Sequence, residues 1–496
     1  TDGRLSNGGY DCVIVDDRLF YSTEGNPSPR KLYDQSQSWN PVDFLPCRIR
    51  DGDGLRALPI ANNLRQNIPP RTAEHFEKVR GQMHWLLEVN RHYGNDLVAI
   101  YADDMEKAAG VGWDQKGPAE YESILSWVSE TPWLHAVKIG EWASRRTYTT
   151  ERAIHTGTYF ELANEFNAGE DYEKWYYDPA WAPYRAYYTW TEGHVKELEL
   201  HGANPPLIEL AWKVLLSTAW QTAWHTPKTG AHGEPNSEGG PSAWVRAIAS
   251  HCRLAAIIAE GAYWMNHKEN GTYAQLNDLD RDGHPELVLK NDRLFAVISP
   301  RNGGRLVYLF SVSGPRGSLV VGNPVDDWNL LEELHEYMDV PPNHPGTFSD
   351  VGHEHHTFDP EIEAPEGSEV KVRLTDVHEN RSEVRIQKTV TLKEGDRAIR
   401  CDYCLSESRG KFSTEFGLSP DYLRLLRNGN LGVRELTPRD ELRGWANGDV
   451  EVWAKISGSS VLWDRPRQPR IGHGYVLRAT SLNRWFTVWL GVDVPS

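Results

Sequence analysis

Hydrophobic and polar positions along the first 120 residues follow two different periods. Residues 12–15 and 97–102 form short, β-branched apolar runs, which predict two buried parallel strands. Between them, apolar side chains recur at helical spacing behind Thr72, a plausible helix N-cap; they are Phe76, Val79, Met83 and Leu87. Because short strands alternating with helices are typical of the α/β class, this region is predicted to be α/β.

The pattern changes twice further along the chain. Residues 121–267 are mostly helical, with a nearly all-apolar stretch at 207–220 that predicts a buried helix, and a second long helix at 242–263. From residue 268 onward, short runs separated by Gly, Pro and Asn-Gly turns predict a β-sandwich. The predicted strands are 286–290, 294–299, 305–310, 369–375, 383–392, 398–405, 450–456 and 486–492. The predicted fold is therefore α/β plus all-β, in three parts: 1–120, 121–267 and 268–496.

Charge and composition argue against several classes of function. The chain has 53 Lys and Arg against 70 Asp and Glu, a formal net charge of −17, which argues against binding to nucleic acid or to an anionic membrane surface. It contains no run of about 18 apolar residues, so no membrane-spanning segment is predicted. The 20 Trp and 21 Tyr side chains suit stacking on sugar rings.

Cysteine usage bears on the compartment. Five cysteines are few and odd in number, which favours a reducing environment, and residues 1–5 lack the features of a signal peptide. A cytoplasmic location is predicted. Cys401 and Cys404 have CxxC spacing, but positions three apart on a strand face opposite sides, so neither a disulfide nor a shared metal is expected.

Acidic residues follow both apolar runs of the first region. Asp103, Asp104 and Glu106 come after residues 97–102, and Asp16 and Asp17 come after the first run. In α/β barrels the carboxyl ends of the strands form the active-site face. Carboxylates held close together raise at least one pKa, which supplies a proton donor near neutral pH. The alternative is a helix N-cap, where Asp is common.

A further acidic segment has the spacing of a calcium loop. Asp278, Asp280 and Asp282 alternate, Gly283 supplies the turn, and Glu286 follows three residues later. Alternating oxygen ligands around a glycine turn are what Ca²⁺ sites require, although an EF-hand places its last Glu at position 12. A structural calcium and a solvated acidic turn are the two interpretations.

Two segments with histidine each have a functional and a structural interpretation. Gln221 and His225 stand four residues apart at the end of the apolar helix, so they share a face that either contacts a substrate or belongs to the core. His344 and residues 353–356 cluster in a Pro- and Gly-rich loop. Zinc would need convergent geometry that adjacent residues do not supply, so a solvated or lid loop is preferred there.

Residues 101–107, Tyr-Ala-Asp-Asp-Met-Glu-Lys, followed by Trp113, resemble the fourth conserved region of glycoside hydrolase family 57. In that region a Tyr-x-Asp-Asp-Gly-Glu-Lys-Phe-Gly-x-Trp pattern carries the general acid/base. The resemblance therefore implies that Asp104 is the catalytic acid/base. It is specific at residues 97–107 and diffuse elsewhere.

Weaker matches to the same family occur in order along the chain. They are residues 9–20, 57–70, 156–161, 224–225 and 278–304. The resemblance implies that residues 1–120 are the C-terminal part of a (β/α) barrel and that 121–267 is a helical domain completing the active site. It further implies that 268–496 is a C-terminal β-sandwich. The residues expected to contact substrate are Asp103, Glu106, Trp113, Glu161, Gln221, Trp224 and His225.

The chain also departs from the family pattern. Ala108 and Ala109 replace the Phe-Gly after Lys107, and Gln221 stands where the family has an ionisable Asp. The family's nucleophilic Glu belongs to a segment that would precede Thr1. Three explanations are open: a companion chain, a missing N-terminal segment, or a member that has lost catalysis. Since a parallel barrel without its first strands exposes open edges, an N-terminal piece or companion chain is favoured.

The resemblance implies an α-glucan-active retaining glycoside hydrolase or 4-α-glucanotransferase acting on α-glucan or maltooligosaccharide. Double displacement needs no cofactor, so calcium is expected only in a structural role. The first alternative is a catalytically inactive glucan-binding or scaffold protein, which Gln221 and the Ala108-Ala109 departure favour. The second is a polysaccharide-modifying enzyme with a metal on the Asp pairs.

Overall fold

The computed structural model of the protein describes residues 9–16, 39, 41–50, 54–94, 96–103, 116–145, 148, 150–152, 176–217, 243–313, 318–322, 346–354, 356–363, 368–377, 384–406, 411–418, 433–437, 441–447, 450–457, 461–463 and 475–493. These residues form two compact units. The first unit runs to Asp178, and the second comprises the described residues from Pro179 onward. The observed boundary thus falls within the predicted helical region, and the division into 1–120, 121–267 and 268–496 stays a prediction.

The first unit contains one small mixed sheet with helices. Its strands are β1 (Cys12–Asp16), β2 (Cys47–Ile49), β3 (Arg56–Ile60) and β4 (Glu151–Arg152), in the order β1-β3-β2-β4. Its helices are α1 (Asn62–Asn67), α2 (Ala73–Asn90), α3 (Gly117–Glu130) and α4 (Ile139–Ser144), with 3-10 turns at Pro41–Phe44 and Arg91–Tyr93. Over the described ranges this sheet is open, and the partial barrel stays a prediction.

Strand β1 is parallel to β3, as predicted, but it is not buried. The register places Cys12 opposite Arg56 and Asp16 opposite Ile60. Strand β1 lies at one end of the described sheet, and the side chain of Ile14 is 44% exposed. The prediction of a buried strand was therefore wrong for β1, because an edge strand has a neighbour on one side only.

The second apolar run, residues 97–102, is extended but forms no regular strand. Its described backbone hydrogen bonds reach two separate places: Val98 N–H donates to Phe44 O, and Ala61 N–H donates to Ile100 O, both at 2.9 Å. The side chains of Leu97 and Ile100 are buried, as the apolar pattern predicts. The prediction of a parallel strand was wrong here, because these bonds do not continue as a ladder with one partner strand.

Helix α2 forms as its apolar spacing predicts. Thr72 is its N-cap, and the Thr72 hydroxyl accepts a hydrogen bond from His75 N–H at 3.2 Å. Val79, Met83 and Leu86 are buried on its inner face, where they pack with Phe44 and other apolar side chains of the first unit. The α/β character of this region is confirmed, since strands and helices alternate through it.

Three helices open the second unit. They are α5 (Ala182–Leu200), α6 (Pro205–Ser217) and α7 (Ala243–Asn266), preceded by a 3-10 turn at Pro179–Trp181. Helix α6 is buried along Leu207, Leu210 and Val214, while Glu209 and Lys213 form an exposed i,i+4 ion pair at 2.7 Å. The predicted helices at 207–220 and 242–263 are confirmed over the residues that the structure describes.

The rest of the second unit consists of two antiparallel sheets. Within the described residues the first has nine strands, in the order β19-β20-β15-β10-β8-β7-β6-β5, with β9 paired to β8. They are β5 (Tyr273–Asn277), β6 (Glu286–Lys290), β7 (Leu294–Ser299), β8 (Arg305–Ser311), β9 (Ser318–Val321), β10 (Thr347–Asp350), β15 (Phe412–Leu418), β19 (Val461–Trp463) and β20 (Tyr475–Ser481).

The second sheet has eight strands in the same described ranges, in the order β11-β12-β13-β14-β21-β18-β17-β16. They are β11 (Phe358–Ile362), β12 (Glu369–Asp376), β13 (Ile386–Lys393), β14 (Ala398–Leu405), β16 (Val433–Glu435), β17 (Leu442–Asn447), β18 (Val450–Ser457) and β21 (Trp485–Val492). Leu289 and Leu309 of the first sheet share one apolar core with Val372 and Val390 of the second. The predicted all-β region is confirmed, and its core lies between the two sheets.

None of the described helices combines the length and the apolar character that crossing a lipid bilayer requires.

All five cysteines lie in the described ranges and are free thiols. Cys401 is buried and Cys404 is half-buried on strand β14. The two side chains differ in burial, as expected of positions three apart on a strand.

Candidate functional site

The acidic positions of the first unit lie at one edge of its sheet. Strands β1 and β3 are parallel and end together, with Asp16 opposite Ile60. The next residue, Ala61, is hydrogen-bonded to Ile100 O, so the 97–103 segment reaches the same edge. The carboxyl ends of parallel strands are where α/β folds build their sites. Asp103 and Asp16 therefore follow extended elements that converge on this edge.

Asp103 is held by an ion pair. Its carboxylate has no exposed surface and accepts a hydrogen bond from Arg65 Nε at 2.8 Å. Arg65 projects from α1, the short helix that begins directly after β3. Two residues before Asp103, the Tyr101 hydroxyl donates to the carbonyl of Ile68, which directly follows α1, at 3.3 Å. The segment that carries the acidic cluster is thus fixed at two points to the chain following β3.

Most of the predicted catalytic and substrate-contacting residues lie outside the described residues. They are Asp104, Glu106, Trp113, Glu161, Gln221, Trp224 and His225. Asp103 is described, and its assignment as a substrate contact stays a prediction. The structure gives Asp103 a protein partner, Arg65, instead of an open face.

The predicted calcium segment is the loop of a β-hairpin. Strands β5 and β6 are antiparallel with Asn277 opposite Glu286, so residues 278–285 close the hairpin. Gly283 has a φ of 90°, a conformation that glycine adopts without strain and that the turn requires. Asp278 Oδ2 accepts a hydrogen bond from Gly283 N–H at 3.1 Å, which folds the loop back on itself.

Three carboxylates converge within this loop. One oxygen each from Asp278, Asp280 and Glu286 lies within 4.8 Å of the others. Asp280 and Glu286 are buried, with 4% and 7% exposure, while Asp278 is half-buried. Oxygen atoms bound to one Ca²⁺ at about 2.4 Å can be separated by no more than about 4.8 Å, so the spacing fits a shared ion. The donor set is hard oxygen only, which suits calcium or magnesium and not zinc.

The electrostatics of the loop are dominated by burial. Burial raises the pKa of Asp280 to about 7, with the Asp282 charge acting in the same direction. Burial likewise raises the pKa of Glu286 to about 8, and the nearby Asp280 charge adds to it. The Arg253 guanidinium opposes the shift in the pKa of Asp280, but its Nε is 4.0 Å from Asp280 Oδ2. The charged forms of the two carboxyl groups are therefore poorly compensated by the surrounding protein.

Asp282, the fourth predicted ligand, lies outside the three-carboxylate group. Its Oδ1 accepts a hydrogen bond from His284 N–H at 2.7 Å, and its own N–H is shared between Asp278 Oδ1 and Asp280 Oδ1, each at 3.1 Å. The predicted set of four is thus reduced to three in the structure. Asp282 shapes the turn, because its backbone orients the two other aspartates.

Helix α5 fastens the loop from the side. The Tyr187 hydroxyl donates to Asp280 O at 2.7 Å. The Arg281 guanidinium lies over the Trp190 ring at 4.8 Å, a cation–π contact, and Arg281 has a φ of 56°. The hairpin loop therefore joins the helices of the second unit to its first sheet.

A histidine pair in the sandwich was missed by sequence reasoning. The 353–356 region was predicted to be a solvated or lid loop, but His356 is 5% exposed and its Nδ1 is 2.9 Å from Asp376 Oδ2. His356 Nε2 is in turn 3.3 Å from His353 Nδ1. The solvated-loop prediction was wrong for His356, because Asp376 of β12 provides a buried partner that the local sequence does not reveal.

A buried ion pair inside the sandwich was also missed. Lys388 Nζ of β13 is 2.7 Å from Asp350 Oδ2 of β10, and both side chains are fully buried. Lys388 also donates to Phe348 O at 2.7 Å and Gly303 O at 2.8 Å. The alternation of Ile386, Lys388 and Val390 was the available signal, since it places the lysine on the inward face of β13.

Comparison with known proteins gives only distant similarities. No protein-family model matches the chain, and no curated protein matches it. The structure is similar to a 4-alpha-glucanotransferase from Thermococcus litoralis, with 16% identity and a TM-score of 0.41, over 99% of this chain and 79% of that one. It is also similar to a heparan sulfate lyase HepC mutant from Pedobacter heparinus, with 8% identity and a TM-score of 0.30, over 76% and 63% of the two chains. A GalM/aldose epimerase homologue from C. elegans shows 9% identity and a TM-score of 0.26, over 45% and 100%.

Proposed function

We propose that the protein acts on α-glucans as a retaining glycoside hydrolase or 4-α-glucanotransferase. The observation that carries the proposal is the Tyr-Ala-Asp-Asp-Met-Glu-Lys stretch at 101–107, which resembles the acid/base region of glycoside hydrolase family 57. It is supported by the approach of the 97–103 segment to the edge where β1 and β3 end. A partial (β/α) barrel around that edge is part of the proposal.

In the proposed mechanism, Asp104 is the acid/base and the residues around it bind the sugar. Asp104 protonates the leaving glycosidic oxygen and then removes a proton from water or an acceptor hydroxyl. Asp103, buried on Arg65, fixes the segment that carries Asp104. Glu106, Trp113, Glu161, Gln221, Trp224 and His225 complete the sugar subsites. Double displacement also needs a second carboxylate, which by the resemblance is a Glu of another conserved region of the family.

The proposal is tested with Asp104→Asn in the full chain. Turnover of maltooligosaccharides is expected to fall about 10³-fold, because the general acid/base is lost, while glucan binding stays within a few-fold of wild type. Asp359→Asn, an exposed carboxylate on β11, is the matched control and is expected to keep full activity. Near-normal turnover by Asp104→Asn would overturn the assignment of the acid/base.

A second candidate function is glucan binding without catalysis. It is favoured by Gln221, which cannot ionise and stands where the family has Asp. The same experiment separates the two functions. If wild type and Asp104→Asn both bind maltooligosaccharides and neither releases product, the result supports the binding function and contradicts the enzyme.

A further inference from the structure

The β5–β6 hairpin loop holds more negative charge than its surroundings neutralise. Asp278, Asp280 and Glu286 bring three carboxylates within 4.8 Å. One ion pair reaches them within the described part of the chain, Arg253 Nε to Asp280 Oδ2, and at 4.0 Å it is beyond hydrogen-bond distance. Burying carboxylates without close counter-charges is costly, and a bound divalent cation would supply the missing counter-charge.

Glu286 supplies a second and separate observation. It lies at the start of β6, outside the turn itself, and it is 93% buried. Its Oε2 accepts a hydrogen bond from Leu279 N–H at 3.0 Å, whereas its Oε1 has no partner among the described residues. A carboxylate oxygen without a protein donor, on a residue this deeply buried and in a group of three converging carboxylates, has the environment of a metal ligand.

We propose that Asp278, Asp280 and Glu286 bind one Ca²⁺ ion, which fastens the hairpin loop to the helices of the second unit. Backbone carbonyls and water supply the remaining oxygens, as in other calcium sites. The half-buried Asp278 leaves a route for the ion from solvent. Asp282 is left out of the ligands because none of its oxygens belongs to the group of carboxylate oxygens that lie within 4.8 Å of one another.

The consequence of binding is structural. Asp280 is both a proposed ligand and the residue whose carbonyl accepts the Tyr187 hydroxyl from α5. The adjacent Arg281 stacks on Trp190 of the same helix. An ion that fixes Asp280 therefore also fixes the contact between the loop and α5. Since the unfolded chain lacks this site, binding stabilises the folded second unit by mass action.

The test uses the full chain, freed of metal with EDTA and returned to buffer. Millimolar CaCl₂ is expected to raise Tm by about 5 °C, and equilibrium dialysis is expected to retain one calcium ion per chain. Glu286→Gln and Asp280→Asn should each lose the rise and weaken calcium binding at least about tenfold. Asp282→Asn is the matched control from the same loop and should keep both, because the asparagine Oδ1 still accepts the His284 N–H.

Several results would overturn the proposal. The first is a Tm that EDTA and calcium do not change, with no calcium retained in dialysis. A second is an undiminished rise in Glu286→Gln, and a third is an equal loss in all three variants, which indicates diffuse attraction to acidic residues. Magnesium that matches calcium at the same concentration would overturn the calcium assignment. The readouts do not involve glucan, so the outcome is independent of the proposed function.

Discussion

Asp103 of the first unit and the hairpin-loop carboxylates of the second unit are neutralised in different ways. In the first unit, the buried carboxylate of Asp103 has a guanidinium at 2.8 Å from Arg65. In the second unit, Asp280 and Glu286 are buried to a similar degree. Their described ion pair joins Arg253 Nε to Asp280 Oδ2 over 4.0 Å, which is longer than a hydrogen bond. The first arrangement has its counter-charge within the protein, whereas we propose that an external cation supplies the counter-charge of the second.

This difference separates two uses of a carboxylate cluster. An internally paired Asp103 can hold the proposed acid/base, Asp104, in position, so substitutions in this region should change turnover or the stability of the first unit. A carboxylate cluster that binds a cation makes the free energy of unfolding depend on the concentration of that cation. Substitutions in one region should therefore leave the readout of the other region unchanged.

The largest expected effect is on turnover. Asp104→Asn should lower maltooligosaccharide turnover about 10³-fold and leave the calcium-induced rise in Tm at its wild-type value. The measurement is initial-rate chromatography of products beside a thermal scan. If the variant also loses the calcium response, the two regions are coupled and the comparison fails.

The next effect is on the stability of the first unit. Arg65→Met should lower the free energy of unfolding by about 3 kcal/mol, because it removes the guanidinium that pairs with the buried Asp103 carboxylate at 2.8 Å. Urea unfolding measures this change. The double variant Arg65→Met/Asp103→Asn should recover part of the loss, since the uncompensated charge is removed. A double variant no better than Arg65→Met alone would show that the ion pair is not the cause.

A smaller effect of opposite sign is expected in the loop. In EDTA, Glu286→Gln should raise the free energy of unfolding by about 1 kcal/mol, because a neutral amide costs less to bury than a carboxyl group whose charged form has no close counter-charge. In saturating calcium the order should reverse, with wild type the more stable. Urea unfolding under both conditions checks the crossing, and a variant less stable than wild type in EDTA would mean that the carboxylate is already compensated.

The smallest effect concerns the contact between the loop and helix α5. Tyr187→Phe removes the hydrogen bond to Asp280 O and should cost about 1 kcal/mol or less in the free energy of unfolding. Tyr263→Phe on α7 is a suitable control, because no hydrogen bond of its hydroxyl is found in the described ranges. Equal changes in the two variants would remove the evidence for this fastening.

The sandwich could be predicted from the sequence because alternation along a strand is local. Leu294–Ser299 and Ala398–Leu405 are strands with the predicted bounds, and Glu286–Lys290 likewise. Each run has its inward side chains two residues apart, so neighbouring residues suffice to recognise it. Lys388 is the exception within such a run, and its buried partner Asp350 lies 38 residues away.

The first unit was harder to predict because its contacts are not local. The apolar character of residues 97–102 correctly predicted burial of Leu97 and Ile100, but the backbone bonds that replace a regular ladder go to Phe44 and Ala61. In the same way, Arg65 and Asp103 are 38 residues apart, and no spacing rule connects them. The candidate calcium loop could be proposed from the sequence because its four acidic residues fall within nine positions. The burial of Asp280 and Glu286 could not be predicted in this way, because it depends on contacts with distant parts of the chain.

The stereochemistry of the first product tests the central claim most directly. Proton NMR can follow the anomeric configuration of the sugar released when the wild-type protein is incubated with a maltooligosaccharide. The account predicts an α-configured product at early times, because two displacements retain the configuration. A β-configured first product, or no product from a protein that binds the glucan, would contradict it.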